Sequence, residues 1–427
     1  MLAEKAETPS TTDAAHRSTF FRQSGWLMIA NIAGGFLMWG VHFLSKKISA
    51  EEYSVFGTLL SVVMCVPAAP LQMVFAQQTA AALATRRERQ LAGMIRLGWI
   101  GTTLLWLVGA GTMLAFQGSV VERWKISNPA ALWILVVVVL LSLWMPMFLG
   151  VLQGRQNFLW LGWAMMANGA GRVAGSAFIV LVLAGAAAGM MGGVAIGLTV
   201  CVAIAIWHTR DLWGGPTEAF DRGGWLKQVL PLMLGAGACL FLSTADTMFV
   251  NTYFAGDQTA PYVVAGTLSR ALMWLVGPLV AVMFPKIVHS AARSEKSDLL
   301  KPVLLGTAGM AAAGAVGICL LGPWVVRFVS KPAYVESVVA MLPWYTGAML
   351  PLSLANVLVN NLLAHSHFRI VPYLVVLAAA YAFALTRLHD SLVMVLQTLG
   401  AFNLLLLALC AWFTWGTKPK PPVAEAG

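Results

Sequence analysis

Runs of about 20 consecutive apolar residues recur from one end of the chain to the other, and nothing else in the sequence limits the fold as much. A helix needs roughly that many residues to cross the hydrocarbon core of a bilayer, because each residue advances it by ~1.5 Å. In lipid every backbone N–H and C=O must be bonded within the protein, which leaves only helices and closed barrels as spanning structures. Barrel strands alternate apolar with polar residues. The runs here are continuous, so the barrel is set aside. The composition agrees: 59% of residues are hydrophobic, 10% are charged and the mean hydropathy is +0.78, whereas a soluble domain carries about a quarter charged residues. The chain is expected to be an all-α polytopic membrane protein.

Segmenting the runs predicts about twelve transmembrane helices: Arg22–Leu44, Tyr53–Leu83, Leu91–Phe116, Ala130–Leu152, Phe158–Leu183, Met190–His208, Lys227–Phe254, Ala260–Val288, Pro302–Phe328, Glu336–Ala364, Ile370–Leu385 and Ser391–Trp415. The expected organisation is a polar tail over 1–21, a six-helix bundle over 22–208, a polar linker over 209–226, a second six-helix bundle over 227–415 and a Pro-rich tail over 416–427.

The two bundles read as repeats. YSVFGTLL at Tyr53–Leu60 matches YVVAGTLS at Tyr262–Ser269, pairing Tyr53 with Tyr262, Gly57 with Gly266 and Thr58 with Thr267. Pro70–Phe75 matches Pro278–Phe284, and Leu152…Phe158 matches Leu362…Phe368, each about half a chain apart and in the same order. Ordered matches at a near-constant offset mark an internal duplication. The copies differ at one informative position, where Arg270 falls opposite Ser61, well inside an apolar run. Pro67, Pro70 and Pro278 interrupt the backbone ladder in the matching helices 2 and 8, where bends are expected.

The chain carries 27 Lys and Arg against 17 Asp and Glu, with a pI near 9.6. The basic residues divide nearly three to one in favour of the side that holds the termini, with Arg86, Arg87, Arg89, Arg155 and Arg210 there and Lys46, Lys47, Arg123, Lys125, Lys331 and Arg387 opposite. The positive-inside rule then makes both termini cytoplasmic. Charge spread over short loops, not gathered in a patch, does not fit a nucleic-acid surface. Tryptophans near helix ends (Trp26, Trp124, Trp207, Trp225, Trp324, Trp415) read as interfacial anchors. The five cysteines lie in apolar runs without metal spacing and read as packing residues. The polar start has no apolar core of a cleavable signal, so the first span is expected to direct insertion.

There is no phosphate-binding Gly-rich lysine loop, no H-E-x-x-H and no Cys/His cluster, so nucleotide hydrolysis by that route and a zinc or redox site are not expected. His365-x-His367 falls in a short polar turn. No long loop carries paired carboxylates, which argues against a membrane glycosyltransferase. A chain made almost wholly of spans is expected to be a carrier and not an enzyme, with no catalytic residue, metal or cofactor.

Polar residues inside the spans therefore hold most of the functional information. An ionisable group at depth costs several kcal/mol unless it is paired or hydrated. Asp246 is the only deep acid; Arg172 and Arg270 are the deep cations, while Arg96 and Arg327 sit near helix ends, where they can snorkel. His42, Gln77, Gln78, Asn168 and Asn356 complete the set of candidate cavity residues. Such Asn and Gln side chains also serve as ordinary interhelical glue, and Asp246 equally well as half of a structural pair. Asp246 precedes the outer end of helix 7 by about eight residues, and Arg270 follows the start of helix 8 by about ten. Both then lie roughly 12–15 Å below one surface, and an ion pair between them is predicted.

The chain resembles the multidrug/oligosaccharidyl-lipid/polysaccharide (MOP) exporter superfamily, in its polysaccharide-biosynthesis or O-antigen flippase branch. The resemblance rests on FRQSGWLMIANIAGG (21–35), ISAEEYSVFGTLLSVV (48–63), LQGRQNF (152–158), ADTMFVNTYF (245–254) and YVVAGTLSRALMWLVGPLVAVMFPKI (262–287), which together cover both halves. It implies two six-helix bundles around a central cavity, a MATE-like architecture that works by rocker-switch alternating access. It further implies export of a lipid-linked oligosaccharide, of the undecaprenyl-pyrophosphate type, across the bacterial cytoplasmic (inner) membrane for envelope or extracellular polysaccharide. In that branch cavity cations are thought to hold the pyrophosphate, which makes Arg172 and Arg270 the candidates. Phosphate would displace Asp246 from Arg270 and free the carboxylate for a coupling proton or sodium ion. Membrane lipids and polysaccharide-assembly proteins are the other implied partners. Gln77-Gln78 departs from the pattern, since many relatives place a basic residue there. The chain also lacks the two extra C-terminal helices and the helix 1–2 signature of peptidoglycan-precursor flippases, so that subgroup is set aside. The competing readings are a cation-coupled multidrug efflux antiporter, which would prefer several deep carboxylates, and a non-transporting scaffold of a polysaccharide-assembly complex.

Overall fold

The computed structural model describes residues 26–27, 29–292, 300–365 and 367–416; the tails expected over 1–21 and beyond 416 lie outside them. The fold is all-α. Helix α1 (residues 29–40) tightens into a 3₁₀ segment, Val41–Lys47, and is followed by α2 (Ala50–Met64), α3 (Ala68–Ala84), α4 (Glu88–Ala115), α5 (Gln117–Arg123), α6 (Ala130–Gly154), α7 (Phe158–Val182) and α8 (Ala186–Trp207). The short α9 (Arg210–Trp213) leads to α10 (Arg222–Tyr253), α11 (Gly256–Ala292), α12 (Leu300–Val329), α13 (Val335–Ala364), α14 (Val371–Leu385) and α15 (Leu392–Ala411). Among the described residues ten segments are long and apolar enough to cross a membrane, with α2 and α3 counted as one.

Two boundaries differ from the sequence reading, each for a local reason. Helix 2 is two helices, because Pro67 lacks an N–H and disfavours helical geometry in the residue before it; the chain breaks at residues 65–67 and resumes at Ala68. The matching Pro278 does not break α11, which runs from Gly256 to Ala292. The linker is shorter than expected, since the Asp221 carboxylate accepts the Gly224 N–H and caps α10 at Arg222.

The remaining linker is strapped to the first half. Arg96 on α4 donates through Nε to the Trp213 carbonyl (2.8 Å) and through Nη2 to that of Gly215 (2.6 Å). Arg155 bonds the His208 carbonyl (2.9 Å) and Asp211 (2.8 Å), and Arg89 pairs with Glu218. Trp225 is not an interfacial anchor: it is buried and packs on Phe75 in the core at the base of the first half. Trp207, Trp324 and Trp415 do stay exposed. All five cysteines are free.

A second core joins the halves, with Tyr53, Phe56 and Leu59 of α2 meeting Tyr262, Val263 and Val264 of α11. Repeated segments thus lie against one another at the centre of the molecule. Residues 44–52 approach 124–129, 254–256 and 328–334 at the distal end of the molecule; the linker marks the proximal end.

Candidate functional site

Asp246 on α10 is fully buried (0% exposed) and sits in a cage of donors from two other helices, α11 and α13. Arg270 of α11 approaches its Oδ1 through Nη2 at 2.8 Å, the ion pair that depth matching predicts. Tyr262 Oη, about two turns before Arg270 on α11, donates to Oδ2 at 2.7 Å, and Tyr345 Oη of α13 donates to the same oxygen. Helix geometry makes the cage: Tyr262, Gly266 and Arg270 are spaced four apart and share a face. Gly266 is needed between them, because a Cβ there would lie 2.8 Å from both Arg270 Nη1 and Tyr345 Oη.

The guanidinium is equally committed. Its Nε donates to the Ser243 carbonyl (2.7 Å), and Nη2 also reaches Thr247 Oγ1 (2.9 Å) and Tyr345 Oη (2.6 Å). Arg270 is 8% exposed. This is a neutral, hydrogen-bonded pair, and two charges so satisfied avoid the penalty of an isolated buried ion. For either group to meet another partner, these bonds must first be exchanged.

The other candidates do not join this cluster. Arg172, on α7 in the first half, has a buried Nε without a hydrogen-bond partner among the described residues. His42 bonds Tyr53 Oη through Nδ1 (2.8 Å) and lines a cavity of about 10 Å³ at the seam, with Val264 and Thr267 across from it. Asn168 is packed inside the first half, its amide nitrogen 3.7 Å from Met38 Sδ and 3.8 Å from Met145 Sδ. Asn356 is bonded along α13 by Asn360 Nδ2, at 2.7 Å to its carbonyl and 3.0 Å to Oδ1. Gln77 is exposed and Gln78 half-buried on α3. His365 and His367 belong to a turn, and no metal-binding group of three or more ligands occurs among the described residues.

Sequence reasoning missed the tyrosines. Four of the seven, Tyr53, Tyr262, Tyr345 and Tyr381, rank among the largest fully buried side chains. The usable signal was a tyrosine in mid-span, since membrane tyrosines gather at interfaces and a buried Oη needs a partner. Tyr381 Oη has none. The duplication ties two of them together: Tyr53 serves His42, and its counterpart Tyr262 serves Asp246.

No protein-family model matches the chain, and no characterised protein matches it by sequence. Solved structures do. A multidrug resistance MATE transporter of the MOP superfamily, in an inward-facing conformation, superposes with a TM-score of 0.66 at 14% identity, over 91% of this chain and 93% of the other. The lipid II flippase MurJ, in an inward closed conformation, gives 0.67 at 12% identity, over 93% and 88%. A MOP superfamily transporter from Pyrococcus furiosus, whose binding pocket is described as of reversed polarity, gives 0.53 at 15% identity over 92% of both chains. With an all-α polytopic architecture matched along nearly its whole length, the chain has the fold of the MOP superfamily transporters.

Proposed function

We propose that the protein is a transporter of the bacterial cytoplasmic membrane that moves an anionic, lipid-linked oligosaccharide by alternating access between its two halves. The observation that carries the reading is Arg172. Asp246 is neutralised by Arg270, so Arg172, with its buried Nε unpartnered, leaves the described membrane interior with one cation in excess. An uncompensated cation at depth favours cargo that brings the missing negative charge, as a lipid phosphate or pyrophosphate does, and disfavours the cationic cargo of a drug antiporter. Arg172 meets the phosphate; the Asp246–Arg270 pair holds the second half together and exchanges partners during the cycle. Once separated from Arg270, Asp246 is the group suited to take up a coupling proton or sodium ion.

The test uses the purified protein in liposomes with a fluorescent undecaprenyl-pyrophosphoryl oligosaccharide, scored by the fraction protected from an external quencher. Arg172→Ala is expected to lower the flipping rate at least about tenfold, and Arg172→Lys to retain part of it, since a point cation still binds phosphate without the guanidinium fork. Unchanged flipping in Arg172→Ala removes the residue from the mechanism. Cation-driven dye efflux from the same vesicles without lipid flipping replaces the reading with the antiporter, and neither activity with the scaffold.

A further inference from the structure

We propose that lysines at the distal end form a reciprocal latch, each half supplying an ammonium group to helix-end carbonyls of the other. A helix leaves its last four carbonyls without intrahelical partners, and cations are stabilised at that negative end. At the end of α12, in the second half, Val326 O accepts the Ser330 N–H (2.8 Å), the ordinary local solution. The next three carbonyls are served from the first half. Lys46 Nζ donates to Phe328 O at 2.6 Å and to Arg327 O at 3.4 Å, and Ser45 Oγ donates to Val329 O at 3.4 Å.

The debt runs the other way two residues on. Lys331 Nζ, in the second half, donates at 2.6 Å to the carbonyl of Ile48, which closes the 3₁₀ segment Val41–Lys47 of the first half. Lys125 repeats the arrangement at a third place, donating to the carbonyl of Phe254, the residue that ends α10. Around these bonds the seam is closely packed. Phe43 and Phe328 meet edge to face with centroids 5.3 Å apart, and a Cβ on Gly256 would lie 2.7–3.1 Å from the backbone and Cγ of Glu51. The halves are therefore closed on one another at this end, and lysines that run against the charge asymmetry of the loops hold them there.

The acceptors are carbonyls, not carboxylates. When the seam opens, water replaces each donor and each acceptor, so the bonds bias an equilibrium instead of locking it. The inference rests on the two halves moving apart, as alternating access requires, but its test is independent of cargo. Spin labels at the exposed positions 47 and 333, in a protein whose five cysteines are replaced, report the distal distance in nanodiscs by pulsed dipolar spectroscopy. Lys46→Met or Lys331→Met is expected to lower the ratio of short to long distances about threefold, and the double variant about tenfold. Lys→Arg at both positions keeps the donors and restores the short distance. Should the double variant fail to purify, the single variants carry the test. Distance distributions that stay the same when the ammonium groups are removed overturn the latch, whether or not the protein flips lipid. A shift that the arginine variants also produce overturns it too, because the donors would then not be the cause.

Discussion

Removing one member of the Asp246–Arg270 pair should damage the fold more than removing both. Asp246→Asn keeps the shape of the side chain but leaves a guanidinium that does not deprotonate in proteins. It would be buried among neutral acceptors only: the Ser243 carbonyl, Thr247 and Tyr345. Breaking a buried pair costs about 3–5 kcal/mol, and this variant belongs at the upper end. Arg270→Met leaves a carboxylate that still accepts from Tyr262 and Tyr345 and can escape its charge by taking a proton, so it belongs at the lower end. The double variant has no net charge to bury, so its cost should fall below that of either single variant, and below their sum by well over about 2 kcal/mol. Reversible unfolding in mixed micelles at increasing sodium dodecyl sulfate, followed by tryptophan fluorescence, measures all four corners of the cycle. Additive single costs, or single costs below about 1 kcal/mol, would refute a stabilising pair. A double charge swap, Asp246→Arg with Arg270→Asp, should recover membrane abundance lost in either single swap.

Three further outcomes follow from the proximal end. Arg96→Ala removes both bonds that hold the linker to α4. Bonds to a charged donor contribute about 1.5–3 kcal/mol each, so proteolysis of residues 214–221 should rise at least tenfold. Partial desolvation, and then the neighbouring His365, hold the His367 imidazole below its ordinary value. A histidine with a lowered folded-state pKa contributes stability above about pH 6.5 that is lost as the pH falls through the folded value. The thermal midpoint should therefore drop between pH 7 and 5, and His367→Gln should flatten that drop. A reporter fused after His208 should read as cytoplasmic; an extracytoplasmic reading would overturn the twelve-helix topology.

The spans were legible in the sequence because lipid leaves the backbone so few choices. Their ends were less so, because caps decide them: Asp221 starts α10 five residues before the hydropathy rises enough to suggest it. The Asp246–Arg270 contact was legible too, since two adjacent antiparallel helices fix relative depth by counting residues. Tyr345 was not, for it comes from α13, 99 residues from Asp246 along the chain, and only the packing of α11 against α13 brings it there. Trp225 was misread because a tryptophan near a helix end looks the same whether it faces lipid headgroups or, as here, a docking surface around Phe75. The latch lysines were visible only as exceptions to a charge rule. That rule counts residues per loop, and their purpose lies in helix ends that belong to the opposite repeat.

The duplication makes the remaining asymmetry meaningful. Tyr53 and Tyr262 occupy the same place in the two copies, and each donates or shares a proton with a partner on the helix before it, His42 in one half and Asp246 in the other. In the second copy Arg270 replaces a serine, and Asp246 neutralises it within the same half. In the first copy Ser61 stays neutral and bonds the Gly57 carbonyl, while Arg172 sits on another helix with its Nε unpartnered among the described residues. Among the described residues the two halves thus hold their charge in opposite ways, one in a saturated pair and one in an unpaired cation. A saturated pair resists change until something competes for its partners; an unbalanced cation recruits a ligand at once. Under the proposed function, cargo charge is read by the first half. The contact available to carry its effect to the second half is the packed seam where Tyr53, Phe56 and Leu59 of α2 meet Tyr262, Val263 and Val264 of α11.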